Sequence, residues 1–332
     1  MARLTRFLVH RGIQALITVF VVTSLVFVLF EAMPGDPLTK FRLDPRITPD
    51  VIQRLEERFG LDQPLYVRYF LFMRNMFTFD FGRSFQFNRD IGVILQEAVP
   101  RTLFLFGMAT IITYLLGAII GSLIAWKRGG LREGGTVVAS LFFYNMPSFW
   151  IGLIFIWVFS FAMGWFPLAG FARPEETCEF FTFTCNNPPL LFILDWLWHA
   201  TLPLTVLVLI SAAGVILLMR TSLLEVMGED YILTAKAKGL REKVVRKKHA
   251  NRNAYLPIVT SFTIAFAFAI GGAIILERIF TYQGVGYMYL EALFNQDHFL
   301  AGATLFIIAL LVIIGNVIAD IMYAVLDPRV RL

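Results

Sequence analysis

The stretch Glu229–Thr260, EDYILTAKAKGLREKVVRKKHANRNAYLPIVT, decides how the rest of the chain is read. It is polar and strongly basic, yet it lies between two apolar runs. A loop that only joins two membrane helices needs a handful of residues, and this segment is several times longer. It also reads as helix. Glu229 and Asp230 follow Gly228, where a helix N-terminus favours negative charge. Lys236 and Lys238 stand at the other end, and Gly239 follows as a C′ residue. The spacing predicts a short, self-capped helix outside the bilayer, followed by a basic helix over Arg241–Asn253.

Working outward, the flanking runs belong in lipid. The chain of 332 residues is 58% apolar and only 16% charged, where a soluble domain carries about 25% charged residues. A span needs about 20 predominantly apolar residues. Six candidates meet that length: Val9–Phe30, Thr102–Trp126, Val137–Met163, Leu202–Met219, Ile258–Leu276 and Leu300–Leu326. The first is too long, and too weakly followed by a cleavage site, to read as a removed signal peptide. The fold class is therefore all-α, a polytopic membrane protein with six transmembrane helices.

Short-loop Lys/Arg bias sets the orientation. Arg3, Arg6 and Arg11 precede the first span; Lys127, Arg128 and Arg132 follow the second; Arg329 and Arg331 end the chain. The loop after the fourth span is the most basic of all, whereas the third loop has Arg173 and the fifth Arg278. Both termini and the basic loop are expected inside, in the cytoplasm. The net charge of +5 follows from this asymmetry and points to no nucleic-acid function. Cys178 and Cys185 then fall in an external loop, where they suit a local disulfide in an oxidising compartment; two free thiols are the alternative. Two thiols without a nearby histidine supply too few ligands for a metal.

Residues 33–99 form a long external segment after the first span. Thr48-Pro49 reads as an N-cap with Pro at N1, with Val51, Ile52, Leu55 and Phe59 as an apolar stripe. A second helix starts at Asp62-Gln63-Pro64, with Leu65, Tyr69, Phe72, Met73 and Met76 at helical spacing. The segment is expected to be folded, its stripe covered by the outer ends of the spans, by the lipid interface or by a docked protein. Gly117 and Gly121 form a small-xxx-small pair, expected to pack inside the subunit rather than at a dimer seam. Pro147 is a candidate kink in the third span. Asp320, close to Arg329 and Arg331, is expected in a structural ion pair or hydrogen bond rather than against substrate.

The runs DYILTAKAKGL (Asp230–Leu240) and HANRNAYLP (His249–Pro257) resemble the cytoplasmic EAA-type loop of ABC importer permeases, in particular the dipeptide/oligopeptide branch. Leu233-Thr234-Ala235 stands where the Glu-Ala-Ala triplet would be. FGLDQPLYVRYF (Phe59–Phe70) and FDFGRSF (Phe79–Phe85) are similar to the external segment of the first-permease type. The resemblance implies a coupling helix, within a cytoplasmic loop 220–256, that docks on an ATP-hydrolysing subunit. It makes Glu229, Asp230, Tyr231, Thr234, Ala235, Lys236, Lys238, Gly239 and Leu240 the ATPase-coupling residues. It divides the chain into residues 1–32 with the first span, an external helical scaffold 33–99, and a permease core 100–332.

The same resemblance implies partners: a second homologous permease, two nucleotide-binding ATPase subunits that hold the ATP and Mg, and an external solute-binding protein that delivers peptide. Oligosaccharide, nickel chelate or glutathione is the alternative cargo; an independent carrier or intramembrane enzyme is the reading from a different class. The chain itself carries no GxxxxGKS/T phosphate loop and no HExxH motif, so no ATP site, metal site, cofactor or catalytic residue is expected in it. The nearly complete lack of mid-span ionisable residues disfavours an independent carrier. Substrate-binding residues cannot be named from the sequence.

Overall fold

The computed structural model describes residues 2–32, 42, 48–59, 63–173, 189–269 and 274–326. Among them all regular structure is helical, apart from one isolated bridge between Arg83 and Asp90. Helix α1 is Ala2–Ala32, α2 Pro49–Phe59, α3 Leu65–Thr78 and α4 Ile91–Trp126. Then come α5 Leu131–Asn145 and α6 Ser148–Phe155, which runs into a π-helical stretch Ile156–Ala162. Helix α7 is Pro189–Met227, α8 Asp230–Ala237 and α9 Glu242–Val244. A π-helical turn Val245–Ala250 leads from α9 into α10, Asn251–Ala269. Helices α11 Ile274–Ile279, α12 Val285–Phe294 and α13 His298–Leu326 complete the order.

Four described helices are long and apolar enough to cross a membrane: Val9–Ala32, Ile91–Trp126, Leu190–Met227 and His298–Met322. The third expected span is not straight. Its two halves, α5 and α6 with its π extension, meet at 102°, and the break falls at Met146-Pro147, where Pro cannot continue the ladder of a preceding helix. Taken as one span this pair is a fifth. The fifth expected span, Ile258–Leu276, is described in part, as the end of α10 up to Ala269 and the start of α11 from Ile274; residues 270–273 lie outside the described residues. Two other helices outrun their apolar stretches. Helix α4 begins at Ile91, not Thr102, and α7 covers Pro189–Met227, not Leu202–Met219.

The spine is the parallel pair α4 and α7, which pack over the greatest shared length. The small residues make this approach possible. A Cβ on Gly117 would lie 2.6 Å from Val215 Cβ, and one on Gly121 would lie 2.6 Å from the Ile216 carbonyl. Both glycines therefore serve packing within the chain. Helix α10 crosses the spine, with Ser122 Oγ donating to Asn251 Oδ1 at 3.0 Å and Tyr114 OH 2.7 Å from Ser261 Oγ.

Helix α1 lies along α13. Arg11 Nε pairs with Asp320 at 3.1 Å, so the ion pair expected for Asp320 exists, but its partner comes from α1. Arg329 and Arg331 lie outside the described residues, as do Cys178 and Cys185.

Helix α3 turns its stripe onto the spans. Tyr69 OH is 2.8 Å from Ser24 Oγ, Phe72 stacks against Phe27 at 5.5 Å, and Met73 and Met76 are buried. Leu65, in the first turn, stays 57% exposed. It lies about 16 Å along the axis from Met76. Helix α2 starts at Pro49 as expected, with Ile52 N–H on the Thr48 carbonyl at 3.3 Å. The side chains of Val51, Leu55 and Phe59 lie outside the described ones.

Candidate functional site

The element singled out in the sequence forms at the end of α7. Glu229 takes an extended N-cap conformation, and its carbonyl accepts the Ile232 N–H at 3.0 Å. Its side chain makes no capping hydrogen bond, so at this end the acidic pair acts by charge alone. The other end closes as the spacing requires. Lys238 N–H donates to the Thr234 carbonyl at 3.1 Å and Gly239 N–H to the Lys236 carbonyl at 2.9 Å. Gly239 sits at φ +74°, the left-handed region that a Cβ disfavours.

Helix α8 is seated on one face. Ile232 and Ala235, three residues apart and so on one side of a helix, are 0% and 5% exposed. They join Ala125 of α4, Met219 and Leu223 of α7, Val245 and Ala250 of the π turn, and Ala254 and Ile258 of α10 in one cluster. Burying an Ile side chain contributes about 1.5–3 kcal/mol, which alone rivals the propensity of an isolated eight-residue helix to fray. Polar links add direction. Asn253 Nδ2 donates to Tyr231 OH at 2.8 Å, Ser222 Oγ to the Ala254 carbonyl at 2.9 Å, and Lys236 Nζ lies 5.9 Å from the centre of the Trp126 ring.

The basic helix expected over Arg241–Asn253 is not separate. From Glu242 the chain is helical through the π turn into α10, so α8 is joined to a long helix by four residues, Lys238–Arg241. Of the nine residues singled out, Glu229, Asp230, Tyr231, Thr234, Lys236, Lys238, Gly239 and Leu240 are exposed together, while Ala235 faces inward. Leu233 stands among the exposed ones at 57%. It escaped notice as part of the departed triplet, although an apolar residue one position after a buried one on a short helix marks an outward face.

At the opposite end lie two buried carboxylates that were not singled out: Asp297, which holds residues 84–86 of the segment 33–99, and Glu277, which ties α4 to the turn before α12. Asp297, 1% exposed, accepts from Ser84 Oγ at 2.7 Å, Phe85 N–H at 2.8 Å and Gln86 N–H at 3.2 Å through one oxygen. Its other oxygen caps α13 through Leu300 N–H at 3.0 Å. Glu277, fully buried, accepts from Thr102 Oγ1 at 2.7 Å and Tyr287 N–H at 3.0 Å, and Val285 N–H donates to Thr102 Oγ1 at 2.8 Å. The only sequence signal for either is an acidic residue beside a glycine-rich or helix-starting turn. Among the described residues no group of three or more His, Cys, Asp and Glu is placed to hold a metal.

Comparison with known families agrees with this arrangement along the chain. Residues 117–332 match the family described as the binding-protein-dependent transport system inner membrane component, and residues 4–106 match its N-terminal membrane component. The chain is 35% identical over 326 residues to the oligopeptide transport system permease protein AppB of Bacillus subtilis, covering 98% of this chain and 99% of that one. It is 34% identical over 319 residues to the di/tripeptide transport system permease protein DppB of Pseudomonas aeruginosa, covering 95% of each. A putative peptide transport system permease protein of Brucella abortus is 33% identical over 328 residues, with 99% of each chain covered. The polytopic helical chain, with its short helix α8 seated on three long ones, belongs to the inner-membrane permease family of binding-protein-dependent transport systems, as a non-catalytic ABC-importer subunit.

Proposed function

We propose that this chain is the first-type permease of a peptide importer and that α8 is its coupling helix. The observation that carries the reading is the division of α8 into two faces: Ile232 and Ala235 bolted into α4, α7 and α10, and Tyr231, Leu233, Thr234, Lys236, Lys238 and Leu240 turned outward. A surface so seated passes a displacement to three long helices at once. The peptide cargo is supported by the names of the relatives, an oligopeptide and a di/tripeptide permease.

In this reading the chain has six spans, both termini and loop 220–256 in the cytoplasm, and residues 33–99 as an external scaffold. A second homologous permease shares the translocation path. Two ATPase subunits bind ATP and Mg and dock on the coupling helices. An external solute-binding protein delivers the peptide. Closure of the ATPase pair turns the path outward, and hydrolysis resets it. The chain's own residues bind no nucleotide; they transmit movement and line a path.

The test is the assembled importer in vesicles. Lys238→Glu and Gly239→Pro should leave insertion and assembly intact and separate hydrolysis from uptake. Proline fixes φ near −65°, so it cannot adopt the +74° of Gly239 and must unwind the end of α8. Lys236→Glu is less clean, because it also removes the contact with Trp126, worth about 0.5–1 kcal/mol at an exposed site. Normal uptake by the Lys238 and Gly239 variants would refute the assignment.

A further inference from the structure

Outside the α8 surface, one buried carboxylate ties the bent span to the base of the coupling element. Glu133, in the first turn of α5, is 7% exposed. Its Oε1 accepts from Arg220 Nε at 2.7 Å and Nη2 at 2.5 Å, and its Oε2 accepts the Gly129 N–H at 2.5 Å. Gly129 lies in the turn between α4 and α5, and Arg220 lies on α7. Arg220 adjoins Met219 and is followed by Ser222 and Leu223, three buried residues of the α7 turn against which α8 and α10 are seated. One carboxylate thus joins the α4–α5 turn, the bent span and the segment of α7 that carries α8.

The bent span does not depend on this pair for its place. Val137 packs on a cluster of Ile124, Ala212 and Ile216, and the Tyr144 ring lies against Gly214. Apolar packing holds α5 on α7, whereas the ion pair fixes its register at the end where α8 is attached. Two guanidinium N–H groups converging on one carboxylate oxygen, with the other oxygen held by the Gly129 N–H, make the contact directional as well as attractive.

We propose that Glu133 and Arg220 are positioning residues that pass the displacement of α8 and α7 to the bent span α5–α6. This rests on the reading of α8 as the coupling helix. Neither residue belongs to the surface assigned to the ATPase.

The experiment uses the complete importer, with its binding protein, in vesicles, and measures substrate imported per ATP hydrolysed. Glu133→Gln should lower that ratio by about twofold to thirtyfold, the range in which residues along a coupling path act, while assembly and basal hydrolysis stay near wild type. The exchanged pair Glu133→Arg with Arg220→Glu should recover part of the ratio; recovery is incomplete because the acceptor for Gly129 is lost. Loss of assembled complex with an unchanged ratio in the surviving fraction would overturn the proposal and make the pair a brace only. An unchanged ratio with normal assembly would overturn it as well. Lys238→Glu run alongside separates the two readings: if it uncouples while Glu133→Gln does not, the strut fails and the coupling helix stands; if neither uncouples, the coupling helix fails first.

Discussion

Gly121→Ala tests the spine of the fold with the smallest possible change. A methyl group at this position would lie 2.6 Å from the Ile216 carbonyl oxygen and 2.7 Å from Met219 Cβ. Non-bonded carbon atoms prefer about 3.5–4.0 Å, so α4 and α7 must part by about 1 Å. Neither neighbour can turn aside: one is backbone and the other is the first carbon of a side chain with 0% exposure. Overpacking of this kind costs about 1–3 kcal/mol. Against it stands the gain from replacing Gly by Ala within a helix, about 0.5–1 kcal/mol.

Gly107, in the same helix, has nothing within 4 Å of its added Cβ. Gly107→Ala therefore carries the propensity gain without the clash, and the difference between the two variants isolates the packing. The assay is a heat step on the purified, detergent-solubilised complex, followed by size-exclusion of the fraction still assembled. Gly107→Ala should match or exceed wild type. Gly121→Ala should fall below it, since one or two kcal/mol shift a folding equilibrium by about 5–30-fold. Equal survival of the two variants would refute the close approach of α4 and α7 and the role given to the glycine pair.

Asp297→Asn keeps the shape but leaves one oxygen to serve donors that now reach two, and a hydrogen bond to a charged group contributes about 1.5–3 kcal/mol; trypsin should then cut more readily at Arg83 or Arg89, and an unchanged digest would contradict the clamp. Phe72→Asp places a charge where the ring packs on Phe27, and should lower the yield of assembled complex without altering α8; normal assembly and import would show the segment 33–99 to be a mere linker. A cysteine at the exposed position of Lys243 should react with a membrane-impermeant reagent only in inside-out vesicles, and labelling in intact cells would reverse the proposed orientation.

What the sequence made legible was local. The end of α8 at Gly239 and the start of α2 at Pro49 each follow from one residue's backbone preference, and the 102° bend falls at the proline that pointed to it. Helix lengths were misread because apolarity marks where lipid is, not where a helix ends. Helix α4 continues on the N-terminal side of Thr102 to Ile91 because Glu97 and Arg101 are paired there, Glu97 with Arg89 and Arg101 stacked 3.6 Å over Phe171. Helix α7 extends past Leu202 because Asp195 holds the Arg173 N–H at 2.7 Å and faces His199. The partner of Asp320 was out of reach for a different reason. Neighbours in sequence suggested the C-terminal arginines, whereas the helix packed alongside supplied Arg11. Asp297 and Glu277 bind groups about 200 residues away, and no periodicity encodes such a contact.

The two proline interruptions show how the spine divides its stiffness. Pro100 lies within α4 and Pro203 within α7, both toward the end that carries Thr102, Glu277 and Asp297. Each proline lacks an N–H, so the carbonyls of Gln96 and His199 lose their helical donors. Beyond those points, toward α8, neither helix contains another proline, and the closest approaches, at Gly117 and Gly121, lie in that uninterrupted half. In the proposed role of α8, a push on it would therefore enter where the spine is least compliant. Tightly packed helices with complete backbone ladders deform little, so such a displacement would be handed on rather than absorbed. In the proposed coupling role it would reach two compliant places: the proline turns at the far end of the spine, and the break at Met146-Pro147, at the other end of the helix whose first turn Glu133 and Arg220 tie to the stiff half.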